Sequence, residues 1–544
     1  MSEPHVNECL PFTDAFFLYL EQQGAPINVA AISAFEGIVP LDQCMQYVES
    51  KLPLIPRFLQ RVVIPPLNIG PPTLQYDSRF DVRNHIREIK LEHGSDSEWK
   101  SVVSDILSTH LDRSRPLWDM TLLHGLKENR TGIVVRMHHC LVDGIAGVSL
   151  LNVLLDPSPV TAAPKRKKLK VPTSPPHDPA TEFLDTLINS CFTTGQALLT
   201  AHSELLQIVQ QASRGNGNAR PQTDDAEAAI SPLARIAPLS EFARLLSELA
   251  QPTQRLPYNI LCRGPQKFDW TEISMAEIAA VRQACTATIN EVVLTVLTAA
   301  LRRYAELHKV GVKGRKLRIV IPVNIRKEAD SGPSGNQITF LPVDIPCSGR
   351  DPRKLLSLVQ KRVKFSKTAH AADLVTMAGM VIGATPPPLQ AMAGAFLRQL
   401  PISVCNSICT NVPGPKTPLY LLGHKMVSSY PCVPIGGEMG MNCAVLSYDG
   451  TLFVGFTGDA QAIPDLAVLA TLFSESFAEL RDAVGIHLST PEAPRRKTRK
   501  AAGKPRQAAG ASSAVDSVAG GAVGNKEAPG EGVNAVAMAT TASA

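Results

Sequence analysis

The sequence predicts an α/β protein, layered as α+β and divided into two domains. Its 544 residues exceed the size at which one hydrophobic core stops growing. Helix-like and strand-like segments alternate over residues 1–156, and a second pattern of the same kind spans residues 253–488. Such alternation is typical of domains in which helices cover a sheet. We therefore expect two αβ domains in series.

Two further segments do not fit this alternation. Residues 157–252 open with proline and lysine, contain a helical stretch, and then lose their periodicity in SRGNGNARPQTDD. This composition predicts a crossover between the domains that is part helix and part flexible. Residues 489–544 are rich in Ala, Gly, Pro, Ser and Lys and contain no aromatic residue, so we expect a disordered tail.

Local signals define four elements of the second domain. Thr288 to Glu291 has the spacing of a capping box and precedes an apolar helix face. Residues 316–326 are β-branched and apolar, as in a strand. Residues 442–459 form two apolar runs joined by Asp449-Gly450, which predicts a hairpin. A last amphipathic helix is expected to start at Pro464 and to end near Gly485.

The formal charge of +5 is concentrated in two basic runs, 165–170 and 495–506. Neither run is interleaved with aromatic residues, and no nucleic-acid motif is present, so nucleic-acid binding is not expected. Solvated segments are the simpler interpretation, and contact with an acidic surface is the alternative.

The pattern of cysteines and the hydropathy of the chain indicate the cellular compartment of the protein. Eleven cysteines are scattered along the chain and the first residues do not resemble a signal peptide, which predicts a cytoplasmic protein with free thiols. The longest apolar candidate, residues 374–384, is far shorter than the roughly 18 residues that cross a bilayer. We expect a core helix there, or a patch that dips into a membrane surface, and no membrane span.

The stretch VRMHHCLVDGIAG, residues 135–147, contains the candidate catalytic residues. A β-type run leads into His138 and His139, followed by Asp143-Gly144 and a helix-like segment. A histidine used as a general base needs a pKa near the working pH and a rigid position beside a cleft, and the end of a strand provides such a position. Gly144 allows close backbone approach, whereas Asp143 has three possible roles: orienting an imidazole, capping the helix or pairing with an arginine.

A metal site and a purely structural role are the alternatives for these histidines. Adjacent residues of an extended segment point to opposite faces, so His138 and His139 cannot easily share one ion, and no metal is expected. A lone histidine is usually a satisfied core residue. The complete spacing H-H-x-x-x-D-G changes this balance, because a chance match is on the order of one in a thousand.

The motif resembles the H-H-x-x-x-D-G signature of the acyl-coenzyme-A-dependent acyltransferase superfamily, which includes chloramphenicol acetyltransferase and peptide-synthetase condensation domains. Further blocks are similar to the bacterial wax ester synthase/diacylglycerol acyltransferase family, and the resemblance covers about residues 9–485. In chain order these blocks are LPFTDAFFLYLE near the start, LDRSRPLWDMTLLHGL (111–126), RLPYN (255–259), VIPVNIR (320–326), GNQITFLPV (335–343) and TNVPGP (410–415).

The resemblance implies two chloramphenicol-acetyltransferase-like domains with a substrate tunnel at their interface and His139 at its middle. His139 would be the base that takes the hydroxyl proton of an acceptor while the oxygen attacks the thioester of an acyl-coenzyme A. No covalent acyl-enzyme and no cofactor are then needed, since acyl-coenzyme A is a substrate. His138 would pack and hydrogen-bond, Asp143 would hold the loop as a structural ion-pair member, and Gly144 would allow backbone approach.

The family's Asn-Asp pair falls on Asn290-Glu291, which is a departure at the second position. Asn290 would still donate a hydrogen bond to the histidine or to an oxyanion, whereas the capping box alone explains Glu291. The Pro-Leu-Trp element is expected to be structural, because a buried tryptophan is usually core. It comprises Pro116, Leu117 and Trp118. Four residues would line the coenzyme path or only shape the backbone: Asn324, Asn411, Pro413 and Gly414.

Three functions remain open at this point. The leading one is esterification of diacylglycerol, a long-chain alcohol or both by acyl-coenzyme A. The second is acyl transfer to another acceptor, such as a small alcohol, an amine or a carrier-bound intermediate. The third is a catalytically inactive lipid-binding relative. Four intact motif residues count against it: His139, Asp143, Gly144 and Asn290. Lipid substrates imply peripheral contact of a cytoplasmic protein with membranes or lipid inclusions, through the 374–398 region and the basic runs.

Overall fold

The computed structural model describes residues 7–21, 25–142, 144–160, 171, 188, 247, 248, 251, 253–324, 338–347, 349–368, 371–397 and 405–486. The predicted crossover lies almost entirely outside these residues, and the predicted tail and both basic runs lie outside them completely.

The predicted alternation of helices and strands is confirmed. Among the described residues there are ten α-helices: α1 Phe12–Leu20, α2 Leu41–Lys51, α3 Asp96–Ser108, α4 Gly144–Leu154, α5 Met275–Cys285, α6 Ile289–Leu307, α7 Pro352–Thr368, α8 Ala371–Gly383, α9 Pro387–Leu397 and α10 Leu466–Ala483. The strands in the same part of the chain are β1 Asn7–Cys9, β2 Asn28–Glu36, β3 Gln60–Val63, β4 Thr73–Tyr76, β5 Ile86–Lys90, β6 Trp118–Leu126, β7 Arg130–His138, β8 Gln266–Ser274, β9 Lys316–Asn324, β10 Ile338–Pro346, β11 Ser407–Pro413, β12 Tyr420–Leu421, β13 His424–Cys432, β14 Met441–Tyr448 and β15 Thr451–Asp459.

The strands form two large mixed sheets and a small one. The first six-stranded sheet has the order β12-β13-β2-β7-β6-β5, and the second has the order β10-β9-β11-β14-β15-β8. The small sheet has three strands in the order β1-β4-β3. Helices pack over each large sheet, which gives the two αβ halves that the sequence predicts. The core of the first sheet also takes side chains from the second, such as Phe268 and Phe453.

The local signals in the second half are confirmed. The hairpin β14–β15 turns at Asp449 and Gly450, both with positive φ (41° and 83°), as a two-residue hairpin turn requires. The capping box is complete: the Glu291 backbone N–H donates to Thr288 Oγ1 (3.3 Å), and the Thr288 N–H donates to Glu291 Oε2 (2.8 Å). Helix α10 starts two residues after the predicted Pro464.

Strand β13 ties the two halves together. It follows β11 of the second sheet in the chain, yet it pairs with β2 of the first, with Tyr430 opposite Ile32. Its Pro431 carbonyl lies so close to β15 that a Cβ at Gly455 would be 2.1 Å from the oxygen. The crossing of β13 over the second sheet therefore requires glycine at residue 455.

Helix α3 makes the second connection, because it covers the edge strand β8 of the other half. The backbone N–H of Phe268 donates to Ser104 Oγ (3.0 Å), and that of Gln266 donates to Ser108 Oγ (2.8 Å). Lys100 pairs with Asp269 at 2.5 Å. Side chains one helical turn apart thus satisfy an edge that would otherwise be open to pairing.

In the described part of the chain, no single helix is long and apolar enough to cross a bilayer. Helices α5 and α6 reach that length and composition only as a pair, and they meet at 99°. Residues 374–383 of the apolar segment belong to helix α8.

The crossing of β13 generates a stability prediction. Gly455→Ala should lower the free energy of unfolding by about 1–3 kcal/mol, because the new methyl group meets a backbone carbonyl that cannot move without shifting β13. Urea denaturation of the full chain measures this change. Gly311→Ala is the matched control, since nothing lies within 4 Å of a Cβ built there. Equal losses in both variants would contradict the packing argument.

Candidate active site

Strand β7 delivers the two histidines to the end of the first sheet. The backbone N–H of His138, its last residue, donates to the carbonyl of Leu117 (2.9 Å). The N–H of His139 donates to the carbonyl of Ile27 (3.0 Å), which extends the pairing with β2 by one residue. Hydrogen bonds from both neighbouring segments therefore fix the backbone of the pair.

His138 is buried and neutral. The backbone N–H of Cys140 donates to His138 Nδ1 (3.1 Å), which places the ring proton on Nε2. Nε2 lies 3.6 Å from Glu21 Oε1. Burial lowers the pKa of His138 to about 4, against the opposing effect of Glu21. A ring that is uncharged at neutral pH and only 1% exposed serves as a packed support for the loop.

The carboxylate of Glu21 is the central contact among the buried side chains next to His138. Arg113 Nη2 donates to Glu21 Oε2 (2.6 Å), the N–H of Ile27 donates to Oε1 (3.2 Å), and His110 Nδ1 lies 3.4 Å from Oε1. Burial acts to raise the pKa of Glu21, but the interaction with His138 and the donors Arg113 and Ile27 outweigh it and lower the pKa. Glu21 is therefore ionised and neutralised by the guanidinium.

Glu21 is a site residue that the sequence analysis missed. It closes the block LPFTDAFFLYLE, which carried family resemblance but no role. An acidic residue after an apolar helix usually faces solvent, so only its place in the fold shows that it meets His138.

His139 is half-buried and stacks on Phe17, with ring centroids 3.9 Å apart and planes 16° from parallel. Phe17 and Glu21 are one turn apart at the end of α1, and Glu21 approaches His138. Both imidazoles thus contact the same helix end, although neighbouring residues of a strand point apart. The stacking restricts the ring of His139 without using either of its nitrogens.

The remainder of the motif divides between described and undescribed residues. Asp143 lies outside the described residues. Gly144 begins helix α4, as the predicted strand–loop–helix order requires. Helix α4 lies against strand β11 of the other half, so the segment that follows the histidines reaches the interface of the two sheets.

Asn290 and Asn411 are brought together from distant parts of the chain. Asn411 Nδ2, on β11, donates to Asn290 Oδ1, on the first turn of α6. Because Oδ1 of Asn290 is the acceptor, its amide Nδ2 is the group that can donate to a ligand. Glu291 next to it forms the capping box, which accounts for this residue where the family has aspartate.

The other predicted binding residues lie at the same sheet edge. Asn324 and Pro413 are the last residues of the adjacent parallel strands β9 and β11, and the side chain of Asn324 lies outside the description. A Cβ at Gly414 would be 2.3 Å from the carbonyl of Ser447. Gly414 is therefore required by the backbone, whatever it contributes to binding.

The Pro-Leu-Trp element lies in the core directly behind His138. Trp118 is 2% exposed, and its Nε1 donates to the carbonyl of Phe58 (2.9 Å). Its ring stacks on those of Phe58 and His85 at 4.8 and 4.6 Å. The carbonyl of Leu117 accepts from His138, so this element positions the histidine through the backbone.

The thiol next to His139 is not an activated nucleophile. Cys140 is fully buried, and burial raises its pKa well above the ordinary value. A protonated, enclosed thiol cannot attack a thioester, so Cys140 is not a nucleophile.

The two αβ halves form the two-domain fold of the chloramphenicol-acetyltransferase type. The family model for the wax ester synthase/diacylglycerol acyltransferase catalytic domain matches residues 10–293, and the model for the WS/DGAT C-terminal domain matches 334–481. The chain therefore belongs to the wax ester synthase/diacylglycerol acyltransferase family, whose members are acyl-coenzyme-A-dependent O-acyltransferases.

Individual relatives agree with this assignment. A protein of Mycobacterium tuberculosis named a probable diacylglycerol O-acyltransferase is 26% identical over 475 residues, covering 86% of this chain and 94% of the relative. The wax ester synthase/diacylglycerol acyltransferase of Marinobacter aquaeolei matches with a TM-score of 0.58 at 22% identity, over 88% of this chain and all of that one. The first condensation domain of the calcium-dependent antibiotic synthetase matches with a TM-score of 0.54 at 15% identity, over 88% and 97% of the two chains.

The lowered pKa of His138 predicts a loss of stability in mild acid. Below about pH 6.5 the unfolded chain binds a proton at this histidine, whereas the folded chain does so only near pH 4. The free energy of unfolding should therefore have its full value above about pH 6.5 and be about 2–3 kcal/mol lower at pH 4.5. The contribution of Glu21, whose pKa is lowered from 4.5, is lost only at still lower pH.

Urea unfolding at pH 7 and pH 4.5 measures this loss, with His138→Gln as the comparison. The variant should be less stable at pH 7 but lose less between the two pH values. An equal loss in both proteins would show that other groups bind the protons.

Proposed function

We propose that the protein transfers a long-chain acyl group from acyl-coenzyme A to diacylglycerol, to a long-chain alcohol, or to both. The observation that supports this most is His139, half-buried at the end of β7 and stacked on Phe17, within a chain of this acyltransferase family. Relatives that bear the name diacylglycerol O-acyltransferase favour diacylglycerol as an acceptor. The Marinobacter protein favours the alcohol as well.

The proposed chemistry is one direct displacement with His139 as general base. His139 takes the hydroxyl proton of the acceptor while the oxygen attacks the thioester carbonyl, which gives a tetrahedral oxyanion. The intermediate collapses by breaking its carbon–sulfur bond, and the imidazolium returns the proton to the departing coenzyme A thiolate. Ester and free coenzyme A are the products, and no cofactor takes part.

Other residues assist this base in the proposal. The amide of Asn290, oriented by its bond from Asn411, is the donor proposed for the oxyanion. His138, Glu21 and Arg113 hold the loop without changing protonation during the reaction. Acyl-coenzyme A and the acceptor would enter a tunnel between the two halves from opposite sides, close to the contact between α4 and β11.

Peripheral contact with membranes or lipid inclusions is part of the proposal. On helix α9, the side chains of Leu389, Met392 and Phe396 share one face and are 52%, 66% and 63% exposed. The neighbouring turn projects Leu67, which is 86% exposed. Together these four residues form an apolar patch, which is a feature of surfaces that bind lipid or protein.

The function is tested with labelled palmitoyl-coenzyme A, offering dioleoylglycerol and hexadecanol as competing acceptors. The wild type should form labelled ester, and His139→Ala should lower turnover by about 10²–10⁴, since it removes the base. This loss equals roughly 3–5 kcal/mol of barrier stabilisation. The ratio of triacylglycerol to wax ester identifies the preferred acceptor.

His308→Ala is the matched control for this experiment. His308 follows the last turn of α6, at the opposite end from Asn290, and pairs with Asp465 on the surface. Its loss should leave turnover near the wild-type value. Equal turnover in His139→Ala and the wild type would exclude His139 as the base.

The apolar patch predicts vesicle binding. Met392→Glu with Phe396→Glu should reduce co-sedimentation of the full chain with phospholipid vesicles by about tenfold or more, because two charges would enter the interface. Val468→Glu is the control, since Val468 is a 37% exposed apolar residue on the separate helix α10. Unchanged binding of the double variant would place the lipid contact elsewhere.

A further inference from the structure

Helix α7, Pro352–Thr368, contains six lysine and arginine residues and no acidic residue. The whole chain has a net charge of only +5, so this one helix holds an excess of positive charge as large as that of the chain. The excess does not stand out as a basic run in the sequence, because apolar residues separate the cations. It becomes a surface feature only when the helix forms.

The helical period separates the cations of α7 from its core face. The buried side chains are Leu355, Leu356, Val359, Val363 and Ser366. Five exposed cations lie on the opposite side: Arg353, Lys354, Lys361, Lys364 and Lys367. At about 100° and 1.5 Å per residue, these five occupy an arc of roughly 140° and a length of about 21 Å. They form the basic face of α7.

The acidic side chains next to α7 are engaged elsewhere. Asp351 Oδ1 accepts hydrogen bonds from the backbone N–H groups of Arg353 (2.9 Å) and Lys354 (3.2 Å). Glu248 pairs at 2.6 Å with Arg362, the one cation of α7 that lies outside the basic face.

The three lysines in the second half of α7 are without counter-ions. In the described part of the chain, Lys361, Lys364 and Lys367 form no ion pair, and Lys354 has only the exposed Asp351 at 4.0 Å. An exposed pair of this kind contributes little and is easily exchanged. The charge of the basic face is therefore available to an external partner.

The shape and composition of the basic face indicate the partner. A small anion needs donors that converge on it, whereas these cations are spread along a convex helix. Four of the five are lysines, which act as flexible point charges, whereas arginine is preferred for bidentate recognition of single phosphates and of nucleic acids. The neighbouring aromatic ring, Phe365, packs on the core with the guanidinium of Arg362 over it, so it does not offer a stacking surface for bases.

We propose that the basic face of α7 binds the anionic headgroups of a phospholipid surface. This inference rests on the peripheral lipid contact in the proposed function and specifies the surface as one rich in acidic phospholipids. Stable peripheral binding usually combines two contributions, apolar burial and charge attraction. The apolar patch on α9 supplies the first and the basic face supplies the second. Helix α8 connects them, since it contacts both α7 and α1, on which α9 packs.

Co-sedimentation with vesicles tests the proposal, comparing pure phosphatidylcholine with an equal mixture of phosphatidylcholine and phosphatidylglycerol. Lys361→Glu with Lys364→Glu should lower binding of the full chain to the mixed vesicles about 10–100-fold at low salt, because two attractive charges become repulsive. The difference should vanish at about 1 M salt, where charges act over only roughly 3 Å. Binding to pure phosphatidylcholine should not change. Glutamate forms helices about as well as lysine, so α7 should persist.

Lys90→Glu with Lys127→Glu is the matched control, because it makes the same change in net charge at two exposed lysines of the first half. This variant should bind the mixed vesicles as the wild type does. Equal losses in both double variants would assign the attraction to net charge alone and overturn the proposal. Equal binding of the wild type to both kinds of vesicle would also overturn it, and would leave the contact through the apolar patch standing.

Two further readouts separate this inference from its alternatives. Ester formation from palmitoyl-coenzyme A and detergent-dispersed hexadecanol should be the same in Lys361→Glu with Lys364→Glu as in the wild type, since α7 is not part of the proposed catalytic machinery. Absence of ester in the wild type, with salt-dependent vesicle binding intact, would overturn the acyl transfer and support the basic face. Binding of a DNA duplex that competes with the mixed vesicles and is lost in the same variant would assign the face to nucleic acid and overturn the proposal.

Discussion

The active site depends on the pairing of β13 with β2. This pairing inserts a strand from the second half of the chain into the first sheet, beside the strand that pairs with β7. Together with the contact of α3 on β8, it holds the histidines of the first half in a fixed position relative to the Asn290–Asn411 pair of the second. Core side chains from both segments share this junction, including Tyr430, which packs edge-on against Phe453 at 5.3 Å. The position of the two halves is therefore a matter of core packing, not of a mobile hinge.

Next to the histidines, the buried negative charge of Glu21 fixes the arrangement of the neighbouring side chains. Removing a carboxylate from water is costly unless it is paired and its oxygens accept hydrogen bonds. Glu21 meets this condition through Arg113 and the N–H of Ile27. In turn, it places α1 so that Phe17 reaches the ring of His139. A buried ion pair such as Glu21–Arg113 favours one arrangement of the surrounding side chains more than it adds to the net free energy of unfolding.

Much of the fold follows from local sequence signals. The capping box at Thr288, the Asp449-Gly450 turn and the alternation in β7 are short-range patterns, and each forms the element expected of it. The path of β13 is different, because the mixed composition of this strand does not indicate which of the two sheets it joins. Its position depends on contacts more than 390 residues apart in sequence, such as that between Ser33 and Ser429.

The same distinction applies to the site. His139 and Asn290 stand out from motif spacing, since their chemistry and their neighbours in sequence are recognisable. Glu21 and Phe17 do not, because an acidic residue and a phenylalanine at the end of an apolar helix have ordinary positions by periodicity alone. Their roles come from the meeting of α1 with the end of β7. A residue that acts by supporting another is defined by contact, and contact between distant segments is what one sequence leaves open.

Helix α1 has a second contact that links the site to the surface. Helix α9 packs on it so closely that a Cβ at Gly394 would be 2.6 Å from that of Tyr19. The opposite, exposed face of α9 carries Met392 and Phe396. One helix thus lies between the histidines and the apolar patch, so little more than two packed helices separate His139 from the lipid contact proposed above. For the water-insoluble substrates of the proposed function this proximity matters, because it keeps short the passage from the surface to His139.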